Sequence, residues 1–165
     1  MIKNPMKNID VILSNELFRE SMSAVGQLEQ DREFCRHGMA HLLDVARIAC
    51  LMAAESDSPP DKEVIYAAAL LHDIGRAVQY ETGEDHEKAG MRISEQILKD
   101  CSFTDDQRQQ IISAVGGHRA KEGQHHLRLL ELISKADHLS RLCFCCGVRE
   151  RCYWPDEKKN RTIYY

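Results

Sequence analysis

Ala67-Ala68-Ala69-Leu70-Leu71-His72-Asp73-Ile74-Gly75-Arg76 is apolar for five residues, then sets two strong metal-binding side chains side by side and closes on a glycine. A helix that is apolar on every side is a buried helix. A carboxylate at the end of one must be compensated, because desolvating it unpaired costs several kcal/mol or more. A cation is the simplest compensation for a carboxylate beside a neutral imidazole. His72 and Asp73 therefore read as metal ligands, and the rest of the chain as the scaffold that brings further ligands to them.

The chain of 165 residues is long enough for one domain with a sizeable core. Its 22 basic and 26 acidic residues are interspersed and leave a net charge of -4, which argues against a nucleic-acid partner. Any phosphate-binding charge must then be local. The seven cysteines are an odd number, no charged-then-apolar leader opens the chain, and no apolar run approaches the ~20 residues that cross a bilayer. These features predict a reduced, cytoplasmic protein with no membrane partner, whose cysteines are thiols or metal ligands.

Working outward from the central run, helical periodicity and capping signals set the other elements. Ile9, Leu13, Leu17, Val25 and Leu28 predict one N-terminal helix or two short ones within residues 1–33. From Phe34 onward, Met39, Leu42, Ala46, Ala49 and Ala53 form one stripe and His41, Val45, Ile48 and Met52 a second, so His41 points inward. Ser58-Pro59-Pro60-Asp61 breaks the chain and starts a helix expected to run to about Ile74, with Gly75 as its stop. Arg76 to Asp85 is expected to be an exposed loop over the end of that helix. His86 shares a face with Gly90, Ile93 and Ile97. Thr104-Asp105-Asp106-Gln107 has the form of a reciprocal capping box and opens a helix whose inner face is Ile111, Val115 and His118. The last long helix, Leu127 to about Leu142, puts Asp137 on one face with Leu130 and Ile133. No stretch alternates with the period of a strand. The expected fold is all-α, a single-domain bundle of about six or seven helices, with a cysteine- and aromatic-rich appendage over residues 143–165.

Inward ligand types thus arise at His41, the His72-Asp73 pair, His86, His118 and Asp137. One inward histidine is ordinarily a hydrogen-bonded core residue, but six such groups would need six separate partners if no metal were present. His41 followed by Val45-Ala46, then Leu71-His72-Asp73-Ile74-Gly75, then Ala136-Asp137, resembles the H…HD…D signature of the HD superfamily of metal-dependent phosphohydrolases. The resemblance runs from about His37 to Arg141 and makes residues 34–142 the HD domain. His86 with Ala89-Gly90, and His118, resemble the branch that holds two metal ions.

The resemblance implies a helical bundle, a first ion on His41, His72, Asp73 and Asp137, and a second on Asp73, His86 and His118. Asp73, bridging both, is then the catalytic side chain. Two ions about 3.5–4 Å apart can share a hydroxide and place it in line with a phosphorus atom. The implied reaction is hydrolysis of an ester or anhydride in a nucleotide or related small phosphate. Mononuclear relatives often carry a catalytic glutamate three residues after the aspartate, and Arg76 occupies that position here, which favours the binuclear form.

Mixed histidine and carboxylate ligation suits several transition metals. The resemblance favours two divalent ions of iron or manganese, with zinc, nickel, cobalt and magnesium as further options, and the histidines disfavour calcium. A phosphate substrate also needs cations, and Arg76, Arg119, Lys135 and Arg141 neighbour ligand positions in sequence. Each has the plainer reading of a solvated or helix-terminus charge, as do Lys88 and Arg92.

Other residues resemble parts of a site. His37 lies four residues before His41, but the resemblance implies that the histidine followed by Val-Ala four positions on is the ligand, which selects His41 and leaves His37 to orient a ligand or meet substrate. His125-His126 fall in a polar turn expected to be exposed, and His138 points about 100° away from Asp137 around its helix. Cys143, Cys146 and Cys152 have C-x2-C-x5-C spacing, one thiolate short of a zinc or iron–sulfur site. Cys35 supplies the fourth if the C-terminal segment folds back. Otherwise the cysteines are small apolar residues covering a helix end beside Tyr153 and Trp154. The phosphohydrolase reading therefore has three rivals: a metal-retaining nucleotide-binding or regulatory module, an iron–sulfur or redox-responsive protein, and a di-iron oxygenase. Oligomer formation stays open.

Overall fold

The structure, a computed structural model, describes residues 5–117 and 125–165, with the side chains of 125–127 left aside. The described residues form eight α-helices and no strand: α1 (Lys7–Ser14), α2 (Glu16–Leu28), α3 (Met39–Ala54), α4 (Lys62–Leu71), α5 (Arg76–Thr82), α6 (His86–Ile97), α7 (Asp105–Val115) and α8 (His125–Leu139). The all-α expectation holds, with one helix more than expected. That helix is α5, in the stretch read as an exposed loop. Seven residues are too few to show a period, and its support is tertiary: Ala77 is buried, and the helix packs on α2 and α6. It ends on Gly83, whose φ of +78° is the left-handed conformation that glycine adopts without penalty.

Local chemistry sets the other ends. The side chain of Asn15 accepts a hydrogen bond from the Phe18 amide, Asp61 from Glu63 and Val64, and Asp85 from Glu87 and Lys88. Each satisfies backbone donors that a helix leaves unpaired at its start. Thr104 and Gln107 form the reciprocal capping box that their spacing predicts. In the first turns of α4 and α6, Glu63 and Glu87 add charges that favour the helix dipole.

α4 is the centre of the bundle, packed against α1, α3, α7 and α8. Ala67 through Leu71 have no exposed surface at all, as a helix apolar on every side requires. Leu70 and Leu71 each contribute about 2 kcal/mol by burial. α3 buries Leu42, Val45, Ala46, Ala49 and Ala53, whereas Met39 at its first turn is exposed. At the N-terminus Ile9, Ile12, Phe18 and Val25 are buried and Leu28 is exposed. The turn at Asn15 between α1 and α2 changes the buried register from the one a single periodic helix would give.

Candidate metal centre

α4 ends at Leu71 rather than at Ile74, and His72 to Gly75 form a turn leading into α5. This turn aims the His72 and Asp73 side chains at α3 and α8. Gly75 does not act as a left-handed stop, because its φ is −82°. Its role is close approach: a Cβ there would lie 2.1 Å from the His86 carbonyl oxygen and 2.5 Å from the Gly90 nitrogen. Glycine at 75 therefore lets the first turn of α6 lie directly on the His72-Asp73 turn, bringing His86 Nε2 to 3.9 Å from Asp73 Oδ1.

The histidines are oriented by their outer nitrogens. His72 Nδ1 lies 2.7 Å from the Ala69 carbonyl, an acceptor only, so Nδ1 carries the proton and Nε2 a lone pair. Ser140 Oγ donates to the Asp137 carbonyl at 2.7 Å, leaving its oxygen to accept from His41 Nδ1 at 3.2 Å. His37 Nδ1 meets Glu29 at 2.5 Å, and Glu29 also accepts from the Tyr80 hydroxyl at 2.6 Å. Three Nε2 atoms thus turn toward one point. Holding the outer nitrogen in this way is how a protein presents a histidine to a metal.

Around that point, Asp73 Oδ2 lies 3.1 Å from His72 Nε2, 3.7 Å from His41 Nε2 and 4.0 Å from His37 Nε2. Asp137 Oδ1 lies 3.1 Å from His41 Nε2 and 3.9 Å from His72 Nε2. Donors around an ion with ~2.1 Å bonds stand about 3–3.5 Å apart, which most of these separations approach. His41 Nε2, His72 Nε2 and Asp73 Oδ2 are buried, yet none has a hydrogen-bond partner among the described residues. Buried polar atoms left in this way are costly. Three of them converging, with lone pairs facing inward, fit a divalent cation.

At His72 burial pushes the pKa down, but Asp73 and Asp137 outweigh it and raise it, so a metal at Nε2 competes with a second proton there. Burial pushes the Asp73 carboxyl up, but His72, His41 and Arg76 outweigh it and hold the group well below the usual carboxylate range. Burial likewise opposes ionisation of Asp137, yet the adjacent His41 and Arg141 hold it at about 2. His86 is pushed down by burial and by Arg76, which keeps the ring neutral with one nitrogen lone pair available. Burial drives His37 down to about 4.

The expected ligands sort as follows. His41, His72, Asp73 and Asp137 come together, and His41, His72 and Asp73 form a compact ligand group. His86 stands at the other oxygen of Asp73. His118 and Arg119 lie outside the described residues. α8 begins at His125, so His125-His126 fall in a helical turn rather than a loop. His138 stacks on Trp154 with centroids 5.5 Å apart and is not in the ligand group.

Of the cations, Arg76 Nε donates to Asp73 Oδ1 at 2.8 Å, placing a positive charge beside the oxygen that His86 approaches. Arg76 and the exposed Lys135 line a cavity of about 710 Å³ that opens on His72, Asp73, His86 and Asp137. Arg141 is buried, donates to Asp137 Oδ1 at 2.6 Å, and lines a different cavity, with Cys35 and Cys143. Arg92 is paired with Glu84 at 2.8 Å.

Glu29 and Tyr80 are the participants that sequence reasoning missed. Glu29 ends an amphipathic helix like many solvated glutamates, and only the 51-residue separation closed by the Tyr80 hydrogen bond reveals its role.

The HD domain family model matches residues 38–142, and the chain belongs to that family. The family's general chemistry is metal-dependent phosphoester hydrolysis. An uncharacterized protein of Clostridium beijerinckii is 39% identical over 160 residues, covering 97% of this chain and all of the relative. Ribonuclease Y 1 of Pediococcus pentosaceus is 30% identical over 112 residues, which are 67% of this chain and 20% of the ribonuclease. A crystal structure of a predicted HD superfamily hydrolase from an uncultured Thermotogales bacterium shares the fold, with a TM-score of 0.59 and 22% identity, over 86% of this chain and 80% of the other. No helix among the described residues is long and apolar enough to cross a membrane.

Proposed function

We propose that the chain is a phosphohydrolase that uses two divalent ions, iron or manganese before zinc, to hydrolyse a nucleotide or related small phosphate ester or anhydride. The convergence of unpartnered His41 Nε2, His72 Nε2 and Asp73 Oδ2 carries this reading. His41, His72, Asp73 and Asp137 hold the first ion. Asp73, His86 and His118 hold the second, with Arg76 displaced from Asp73 Oδ1 toward the substrate. When bound, the ions supply polarisation of a phosphoryl oxygen and a water of lowered pKa. The chain's own residues do the remaining work. Asp73 spans both positions, while Arg76, Lys135 and Arg119 offer charge to the phosphate. Arg141 acts through Asp137, whose carboxylate it keeps ionised and oriented. The 710 Å³ cavity is of a size that accepts a nucleotide.

The likeness to ribonuclease Y favours a second substrate, a phosphodiester in RNA, although the net charge of -4 offers no broad basic face. Protein purified without chelator should hold about two transition-metal equivalents at this centre, read as the difference between it and Asp73→Ala. It should also turn over an aryl phosphate or a member of a nucleotide panel. Cleavage of an RNA oligonucleotide in preference to every nucleotide would select the second substrate. Metal-free protein that stays inactive after iron or manganese reconstitution would overturn the reading, and a regulatory role would show instead as nucleotide-induced thermal stabilisation without product.

A further inference from the structure

The C-terminal appendage folds back as the Cys35 pairing requires. Asn160, itself buried, donates to the carbonyls of His138 and Arg141 at 2.8 and 2.9 Å. Trp154 stacks on His138, Tyr153 packs edge-on against Phe34 at 5.7 Å, and Arg151 pairs with Glu33. Residues 143–165 contain three short 3₁₀ turns and no longer element. They also lack an apolar centre: Cys143 is their one buried apolar side chain, while Tyr153, Ile163, Tyr164 and Tyr165 are exposed. A segment so poor in burial ordinarily needs a disulfide or a metal to hold one conformation. All seven cysteines are free thiols.

Five of those thiols line one cavity of about 400 Å³ between the loop before α3 and the tail. Cys143, Cys146 and Cys152 each lie within electrostatic reach of Cys35. Cys145 differs, its sulfur being turned to the carbonyl of Leu142 in its own turn. Arg36, Arg141, Arg149 and Lys159 share the cavity wall with these sulfurs, alongside Glu33 and Asp44. No three of the sulfurs lie within 4.8 Å of one another. A single zinc with ~2.3 Å bonds would hold its sulfurs about 3.8 Å apart, so this ring is too wide for one ion. A cluster whose irons each take one cysteine spreads its ligands further.

We infer that Cys35, Cys143, Cys146 and Cys152 bind an iron–sulfur cluster, separate from the histidine and aspartate centre and sharing the Arg141 wall with it. The test uses the full chain purified anaerobically, in an Asp73→Ala background that removes ions from the first centre. About four iron and four sulfide per chain are expected, with a broad visible charge-transfer band. Adding Cys146→Ser should lower both at least tenfold, whereas Cys145→Ser should leave them in place. Because a lost cluster can unfold the tail, wild-type protein supplies a check that needs no variant. Cys35 and Cys145 are both exposed, so brief alkylation should modify Cys145 and spare Cys35 until the cluster is removed. Absence of iron and sulfide, zinc in their place, a disulfide among the four cysteines, or equal alkylation of Cys35 and Cys145 would each overturn the assignment.

Discussion

The two clusters of ligand-type side chains in this molecule are built in opposite ways. In the HD region, α3, the turn after α4, α6 and α8 deliver His41, His72-Asp73, His86 and Asp137 from elements locked by a continuous apolar core. Each of His37, His41 and His72 has its outer nitrogen fixed before any ligand arrives. In the tail, the cysteines sit on 3₁₀ turns and loops anchored by Asn160, a few ring contacts and surface ion pairs. The first arrangement inherits its precision from helix packing, so its cost is stored as unpartnered polar atoms. The second has little packing to inherit, so what occupies it also decides how well it holds together.

The sharpest break between the two comes from Asp73→Ala. With the side chain common to both proposed ions removed, turnover should fall on the order of 10³-fold or more, equivalent to about 4 kcal/mol. Elemental analysis should show metal lost from the HD centre alone.

A backbone test follows in size. Gly75→Ala would force its Cβ into the His86 carbonyl and the Gly90 nitrogen, both backbone atoms that cannot swing aside. A loss of about 2–4 kcal/mol is expected, or roughly 5–15 °C in Tm. A change under ~0.5 kcal/mol in a denaturant titration would show that the HD turn yields to the added methyl group.

Acid should also separate the regions. Buried His37 is held neutral, with its pKa lowered from 6.5 to about 4. The unfolded chain therefore binds more protons between those values. Stability from this group is complete above pH 6.5 and is lost as pH falls toward 4. In metal-free protein the loss should be about 2–3 kcal/mol, read from denaturant midpoints against pH. His37→Gln should flatten that slope, and a slope unchanged in the variant would assign it to other groups.

The smallest global effect is expected from Asn160→Ala. Two hydrogen bonds to α8 and its end would vanish, costing about 1–2 kcal/mol. Amide exchange over residues 143–165 should accelerate while the core helices stay protected. Equal acceleration in α4 would mean that the tail and bundle unfold as one unit.

The legible parts of the site were those in which one helix period relates a ligand to its apolar neighbours. His41 with Val45 and Asp137 with Ile133 could be placed inward because a shared face is a local property. α5 was not legible, since its seven residues hold together by packing on α2 and α6 rather than by their own pattern. Arg141 looked like a substrate cation from its neighbour Asp137. Only the fold shows it buried behind that carboxylate and facing the cysteines.

By itself the sequence determined the class of the fold, the capping signals that open α4 and α7 and the H…HD…D residue pattern, because these depend on spacings within single elements and on how charge tolerates burial. Tertiary structure decided which oxygen of Asp73 faces which partner, how Glu29 reaches His37 and Tyr80, and whether Cys35 meets the tail. His37 and Asp73 lie 36 residues apart, Asp73 and His86 13, and Glu29 and Tyr80 51. No local period carries such distances; only the packing of the bundle closes them.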